Sequence, residues 1–381
     1  MKPRSPISTD NSETILIDLI IEILWRLPVK SIARCRCVSK LWASTLASPY
    51  FTELFMTRSC ARPKLLFSFR NHCELVFFSS PQIRDQDENS SLVTANLYMK
   101  FPIDDFSDIS RPIHGLVCVT HLNILTNERV TVICNPSTGQ SLLLPKVVTV
   151  NSLLGFDPID KQFKVLSTTK VIYREDNSYL KHQVLTVGTG NLSWRMIECS
   201  ISHHYYPSKD GICTNGVLYY VSQLGGPPKV CAIVCFDVRS ENFSVINRAE
   251  DMILRMVSTL VNYMGKLGVL SNGGFEGLTR ESRSLEFWVL VDAEKHEWSK
   301  HKYVLPSSWK NVVAEAKIFI VGVTSANEIV LSPRYLSNPF YVFYYNNERN
   351  TIRRVEIHGM DAFKNCGVHI SLDHVEEVKL L

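Results

Sequence analysis

The sequence predicts an α+β multidomain chain: a small three-helix module at residues 13–60, followed over 63–381 by an all-β propeller of about six blades. Three observations lead there. Apolar residues recur at helical spacing over roughly the first fifty positions, change from residue 63 to short runs separated by turn residues, and those runs return with a period of about 52 residues.

In the first segment Leu16, Leu19, Ile20, Ile23, Leu24 and Leu27 fall on one helical face, which Pro28 ends. Ile17, Ile21 and Trp25 form a second stripe, leaving Asp18, Glu22 and Arg26 as a narrow polar face. A second helix follows Pro28, and a third carries Val38, Leu41, Trp42, Thr45 and Leu46 before Pro49 stops it. A unit of about 45 residues has too much surface for its volume to bury all these side chains internally. One apolar stripe is therefore left for the neighbouring domain or for a partner to cover. Arg34, Arg36 and Lys40 add a basic cluster beside it, read either as a solvated face or as a steering patch for an acidic partner.

Beyond residue 63 the chain reads as pairs of strands. One set of hairpins turns at Asn135-Pro136-Ser137-Thr138-Gly139, at Gly188-Thr189-Gly190-Asn191 and after Asp237, Asp292 and Asn346. Taking Gly139, Asn191, Ser240, Lys295 and Glu348 as equivalent gives the period of about 52, close to the kelch-type value. A second set turns at Asn215-Gly216, Gly265 and Ala326-Asn327, where positive φ favours Asn and Gly. Two hairpins per period make four strands, and four-stranded units repeated about six times describe a propeller. A β-sandwich is the alternative. The first blade is expected to combine Leu65–Phe69 and Leu75–Phe78 with a closing strand from the chain's end, near Val375–Leu380, because closure removes exposed edges. Residues 81–110, rich in Asp and Ser, read as an acidic insertion between blades.

The 41 Lys and Arg against 37 Asp and Glu are too balanced to argue for nucleic acid. The surplus sits in the helical segment, where residues 1–62 hold nine basic and five acidic side chains. No apolar run reaches the length of about 18 residues that a membrane helix needs, and Met1–Ser12 lacks a secretory pattern. Cytoplasm or nucleus is the expected location, and the 11 cysteines are then read as reduced, mostly buried thiols. No phosphate loop, nucleophile elbow or His-Glu-x-x-His motif occurs, so neither catalytic residues nor cofactor are assigned. His203-His204 is the nearest approach to a metal site, but neighbouring residues on a strand point to opposite faces, and no metal is assigned. Asp157, Asp237 and Asp292 are read as turn residues whose carboxylates accept from the local backbone.

The run from Leu19 to Trp42, with Leu27-Pro28, Ile32, Val38-Ser39-Lys40-Leu41-Trp42 and then Ser48-Pro49-Tyr50-Phe51, resembles a plant-type F-box. The resemblance implies a module that docks the Skp-type adaptor of an SCF (Skp, cullin, F-box) ubiquitin ligase. Its pattern positions name the adaptor-binding set as Leu16, Ile17, Leu19, Ile20, Ile23, Leu24, Leu27, Pro28, Ile32, Val38 and Trp42. The family usually has Pro where this chain has Ile17, a change that loses first-turn pre-organisation and keeps an apolar side chain.

Gly115-Leu116-Val117-Cys118, Asn135-Pro136-Ser137-Thr138, Gly155-Phe156-Asp157-Pro158, Asn215-Gly216-Val217-Leu218 and Phe236-Asp237 occur in the order found in plant F-box-associated domains, most similar to type 3. That resemblance implies a domain that recruits a target protein, with no named substrate. The chain is thus expected to be a non-catalytic substrate receptor, with a non-ubiquitinating adaptor-bound scaffold as the alternative. A propeller oxidase, the third reading, would need Tyr, His and Cys converging on copper.

Overall fold

The computed structural model describes residues 10–83, 91–174, 177–188, 190–204, 211–225, 230–255, 258–271 and 277–378. Helices α1 (Asp10–Leu24), α2 (Val29–Cys35), α3 (Lys40–Ala47) and α4 (Pro49–Ala61) come first. Three helices were expected, ending at Pro49, yet Pro49 opens a fourth. Proline fits a helix's first turn, where its missing N–H would have no partner, and the Ser48 hydroxyl accepts from Phe51 N at 3.2 Å to cap that turn.

The described strands form six sheets, each a blade. From the axis outward, blade 1 is Val368–His374, Lys64–Asn71, Glu74–Pro81 and Asn96–Pro102, and blade 2 is Asp105–Ile109, Val117–Asn123, Glu128–Asn135 and Gln140–Leu143. Blade 3 is Asn151–Asp157, Gln162–Arg174, Asn177–Val187 and Arg195–Ile197. Blade 4 is Val217–Leu224, Val230–Asp237 and Phe243–Ile246, with Ile212–Thr214 and His203–His204 both pairing to the first of these. Blade 5 is Thr259–Tyr263, Lys266–Ser271, Ser284–Asp292 and Glu297–Val304, and blade 6 is Ile318–Val323, Ile329–Pro333, Tyr341–Asn346 and Thr351–His358. Leu92–Thr94 adds a parallel strand to the outer edge of blade 6.

Alternation along each strand closes these sheets into a ring. Val117, Val119 and Val132 pack with Leu66 and Phe77 of blade 1, whereas Leu116, Cys118 and Ile133 pack with Leu154 and Val165 of blade 3. Strands covered on both faces become continuous apolar runs, the pattern of Val130–Cys134 and Ala232–Phe236. Equivalent clusters join blades 3 and 4, 4 and 5, 5 and 6, and finally 6 and 1, where Val330, Val342 and Tyr344 meet Leu65, Phe67 and Phe69. The turns behave as their chemistry dictates: carboxylates of Asp157, Asp237 and Asp292 accept from backbone N–H two or three residues on, and Asn215-Gly216 takes φ of 51° and 81°.

Two further expectations are corrected. Residues 81–110 are largely not an insertion, because they supply Leu92–Thr94, the outer strand of blade 1 and the inner strand of blade 2. Alternating Leu97, Met99 and Phe101 mark a strand, and Asp108 is buried beside Arg129 at 3.5 Å. Of the acidic residues in that stretch, Asp85, Asp87 and Glu88 lie outside the described residues. The closing strand is Val368–His374, not the stretch from Val375, which leaves the sheet.

Where that tail goes fixes how the helices sit on the ring. Val378 is buried in the helical core, and Glu376 N donates to Ser59 Oγ at 2.6 Å. Glu376 also pairs with Lys64 at 2.9 Å and accepts from the Tyr98 hydroxyl at 2.6 Å. Asn135, fully buried, caps its own turn through Oδ1 and donates from Nδ2 to the Glu377 carbonyl at 2.9 Å. Gly115 has φ +78°, and a Cβ there would stand 2.7 Å from the Cβ of Glu377. Two motifs quoted above, around Gly115 and Asn135, thus dock the tail.

Inner strands and their turns surround a cavity of about 350 Å³, lined by Arg111, Leu153, Cys213, Asn262, Thr324 and Asp373 among others. Arg111 crosses it to donate to the Leu260 carbonyl of blade 5 at 2.7 Å.

Candidate adaptor-docking surface

The helical module has its own core of Ile20, Ile21, Leu24, Val29, Ile32, Leu46, Phe51 and Phe55, closed by Val378. Leu24, Ile32, Leu46 and Phe51 are completely buried. Ser39 starts α3 by accepting from Trp42 N at 3.1 Å, and the Arg58 guanidinium lies 3.3 Å above the Trp25 ring, holding α4 to α1.

The residues taken from the F-box pattern divide by environment. Ile20, Leu24 and Ile32 are interior, so in this conformation they serve packing and present no surface. Ile17, Leu27 and Trp42 pack half-buried against the core. Leu19 and Ile23, one turn apart on α1, are 57% and 55% exposed, Val38 ahead of α3 is 63% exposed, and Pro28 is exposed. The side chain of Leu16 lies outside what is described. Leu41 and Tyr50, absent from the predicted set, are exposed as well; the place of Leu41 in its apolar stripe does not say which way it faces, because that depends on how the helices cross.

The amphipathic arithmetic explains the split. An α-helix flanked by neighbours on one side buries one stripe, and α1 carries two. The stripe of Ile17, Ile21 and Trp25 faces inward together with Ile20 and Leu24, and the Leu19–Ile23 edge is left over. Covering each of these two exposed side chains would gain about 1–2 kcal/mol at the usual value per unit area. Of the basic cluster, Arg36 is committed to the tail, donating to the Val378 carbonyl at 2.6 Å, while Arg34 and Lys40 are exposed.

Contacts of the module fall at one end of the ring: Lys30 donates to the Leu97 carbonyl at 3.2 Å, and Glu53 pairs with Lys161 in the first turn of blade 3 at 2.8 Å. Strand direction puts the other ends of these strands at the far side. There the hairpin of Gln162–Arg174 and Asn177–Val187 stays paired as far as Arg174↔Asn177, beyond Asn151↔Thr168 where the inner strand begins. Ile124, Leu125 and Val148, at the same far side of blades 2 and 3, are 61%, 93% and 77% exposed. Among the described residues, no helix is long and apolar enough to cross a membrane.

Comparison with known proteins agrees with this division. The F-box domain family matches residues 17–54, and the F-box associated beta propeller domain family matches residues 64–375. "F-box protein DOR" of Arabidopsis thaliana is 54% identical over 381 residues, covering 98% of this chain and 95% of that protein. "F-box protein At5g65850" of the same plant is 49% identical over 389 residues, covering 100% and 94%. With helices and ring each matched by its own family, the chain belongs to the F-box proteins that carry an F-box associated beta propeller.

Proposed function

We propose that this chain is the substrate-recognition subunit of an SCF ubiquitin ligase, with a Skp-type adaptor, and through it a cullin, on the helical module and a target protein on the propeller. The observation that supports it most is that Leu19, Ile23, Pro28 and Val38 stay exposed on a module whose core is closed by the ring's tail. Those four are the direct adaptor contacts in this reading, with Ile17, Leu27 and Trp42 at their margin and Leu16 assigned with them on α1. Ile20, Leu24 and Ile32 act by holding the module in shape.

The target protein is assigned to the far end of the ring, where Ile124, Leu125 and Val148 lie open and the blade 3 hairpin projects. The receptor would do no bond chemistry. It would raise the effective concentration of a target lysine near activated ubiquitin, a gain set by geometry and so dependent on a fixed angle between module and ring. Its place of action would be the cytoplasm or nucleus.

Affinity purification of the full chain from cells with the proteasome inhibited, beside a Leu19→Asp/Ile23→Asp variant, tests the reading. Adaptor, cullin and ubiquitin-modified clients are expected with the wild type, and clients without adaptor or cullin with the variant. Adaptor and cullin without any ubiquitin-modified client would favour the scaffold alternative, and absence of adaptor from the wild type would defeat both.

A further inference from the structure

At the junction of blades 3 and 4, three side chains from separate elements come together: His182 from strand Asn177–Val187, Cys199 from the loop after Arg195–Ile197, and His203 from the short strand His203–His204. One ligand atom from each, an imidazole nitrogen or the thiol sulfur, lies within 4.8 Å of the other two. The two imidazoles are buried and the cysteine is half-buried. We propose that His182, Cys199 and His203 form a zinc-binding site that fastens blade 3 to blade 4.

The chemistry of the donors fits that cation. Zinc takes imidazole nitrogen and thiolate sulfur together, at about 2.0–2.1 Å and 2.3 Å, which puts ligand atoms of a tetrahedral site roughly 3.3–3.7 Å apart. The cluster therefore has to close by about 1 Å: Cys199 can move because it sits on a loop rather than in a ladder, and the His182 and His203 rings, stacked with centroids 5.1 Å apart and planes 15° apart, turn their lone pairs toward a common point. On binding, the thiol gives its proton to solvent and the thiolate forms the Zn–S bond. Its contact with the Ile201 carbonyl, 3.6 Å from sulfur, is the one that gives way.

The outer contacts of the imidazoles, a backbone carbonyl and a hydroxyl, are of the kind that metal-bound histidines make. His203 Nδ1 lies 3.0 Å from the Ile201 carbonyl, which can only accept, so the proton is on Nδ1 and the lone pair on Nε2. Nε2 meets the Tyr220 hydroxyl at 3.1 Å, and zinc would take over that lone pair with the hydroxyl swinging aside. Thr168 Oγ1 lies 3.3 Å from Nδ1 of His182, and in the tautomer whose Nδ1–H donates to that hydroxyl the lone pair is on Nε2. Three protein ligands leave a fourth position for water. Spatial neighbours 182, 199 and 203 do not make a familiar spacing, and the adjacent pair His203-His204 drew attention to the wrong partner.

The test uses purified full-length protein, stripped with a chelator and titrated with Zn2+ alone, then with Co2+ as a spectroscopic stand-in. Wild type should hold one equivalent through gel filtration, show a thiolate-to-cobalt charge-transfer band and melt higher with zinc than with chelator. Cys199→Ser should lose the band and bind at least about tenfold more weakly, since even outer-contact losses cost that much, and His182→Ala should do the same. Cys199→Ser changes one atom of a half-buried side chain and keeps the test open if His182→Ala fails to fold. Cys60→Ser, an exposed thiol elsewhere, should behave as wild type. The proposal is overturned if zinc leaves the wild-type melting temperature unmoved, or if Cys199→Ser retains zinc and the cobalt band as wild type does.

Discussion

Arg36, at the C-terminal cap of α2, donates from Nη2 to the backbone carbonyl of Val378 at 2.6 Å, joining residues 342 positions apart. Beside that bond the Val378 side chain fills the helical core. The module is therefore completed by a residue that follows the last strand of the ring. Shortening Val378 to alanine should destabilise the module by about 2 kcal/mol, from roughly two buried carbon groups at about 0.8 kcal/mol each plus the cavity they leave. Proteolysis of the helices, followed with the propeller's melting as a reference, checks this: Val378→Ala should speed cleavage between residues 10 and 62 while the ring's transition stays put.

Gly115 and Gly139 share φ +78° but differ in surroundings, since a Cβ meets Glu377 and the Val375 carbonyl at the first and nothing within 4 Å at the second. Gly139→Ala should cost only the backbone term, about 1–2 kcal/mol for a left-handed alanine. Gly115→Ala should cost more and also release the tail. Denaturant midpoints of the two variants, with cleavage of the helices as a second readout, separate strain from lost docking.

His374, at the end of the closing strand, is completely buried, and burial with Lys64 alongside pushes its imidazole down to about 3. The groups facing it are Lys64, itself paired with Glu376, the Tyr98 ring and the Ser137 hydroxyl at 3.4 Å. Between pH 3 and the unfolded value of about 6.5 the unfolded chain binds the proton and the native chain does not, so stability falls as pH drops below 6.5. Urea unfolding at pH 7 and pH 5.5 should differ by about 1 kcal/mol from this group, and His374→Gln should flatten that part of the slope.

Leu19 and Leu24 belong to the same apolar pattern and should behave oppositely. Leu24→Ala removes a fully buried side chain and should cost about 2–5 kcal/mol. Leu19→Asp changes an exposed position and should move stability by no more than about 0.5 kcal/mol. Thermal melts of the two variants check the assignment without any partner present. By the same criterion Leu27→Asp is a poorer probe of docking, because Leu27 packs against the core.

Much of the ring was legible because strands buried on both faces write themselves as short apolar runs, and because Asn-Gly and Asp turns have local causes. The period located the third-to-fourth strand turns of blades 2 to 6. What escaped was non-local. Asn96–Pro102 alternates well but was hidden among acidic neighbours, and the closing strand is interrupted by polar Ser371 and Asp373 while the tail after it looked more strand-like. Pro49 can end one helix or begin the next, and only the Ser48 cap decides. At the docking surface the periodicity identified the apolar residues but not their direction, since whether Leu19 or Leu24 turns inward is set by where α3, α4 and the tail pack.

Binding of purified Skp-type adaptor to the intact chain, titrated beside the Leu19→Asp/Ile23→Asp variant with melting curves for both, tests the central claim most directly. Removing two side chains whose covering by the adaptor is worth about 1–2 kcal/mol each, and burying charge in their place, predicts a loss of at least tenfold in affinity with the melting temperature unchanged. Equal affinity in the two proteins would contradict the assignment of this edge to the adaptor.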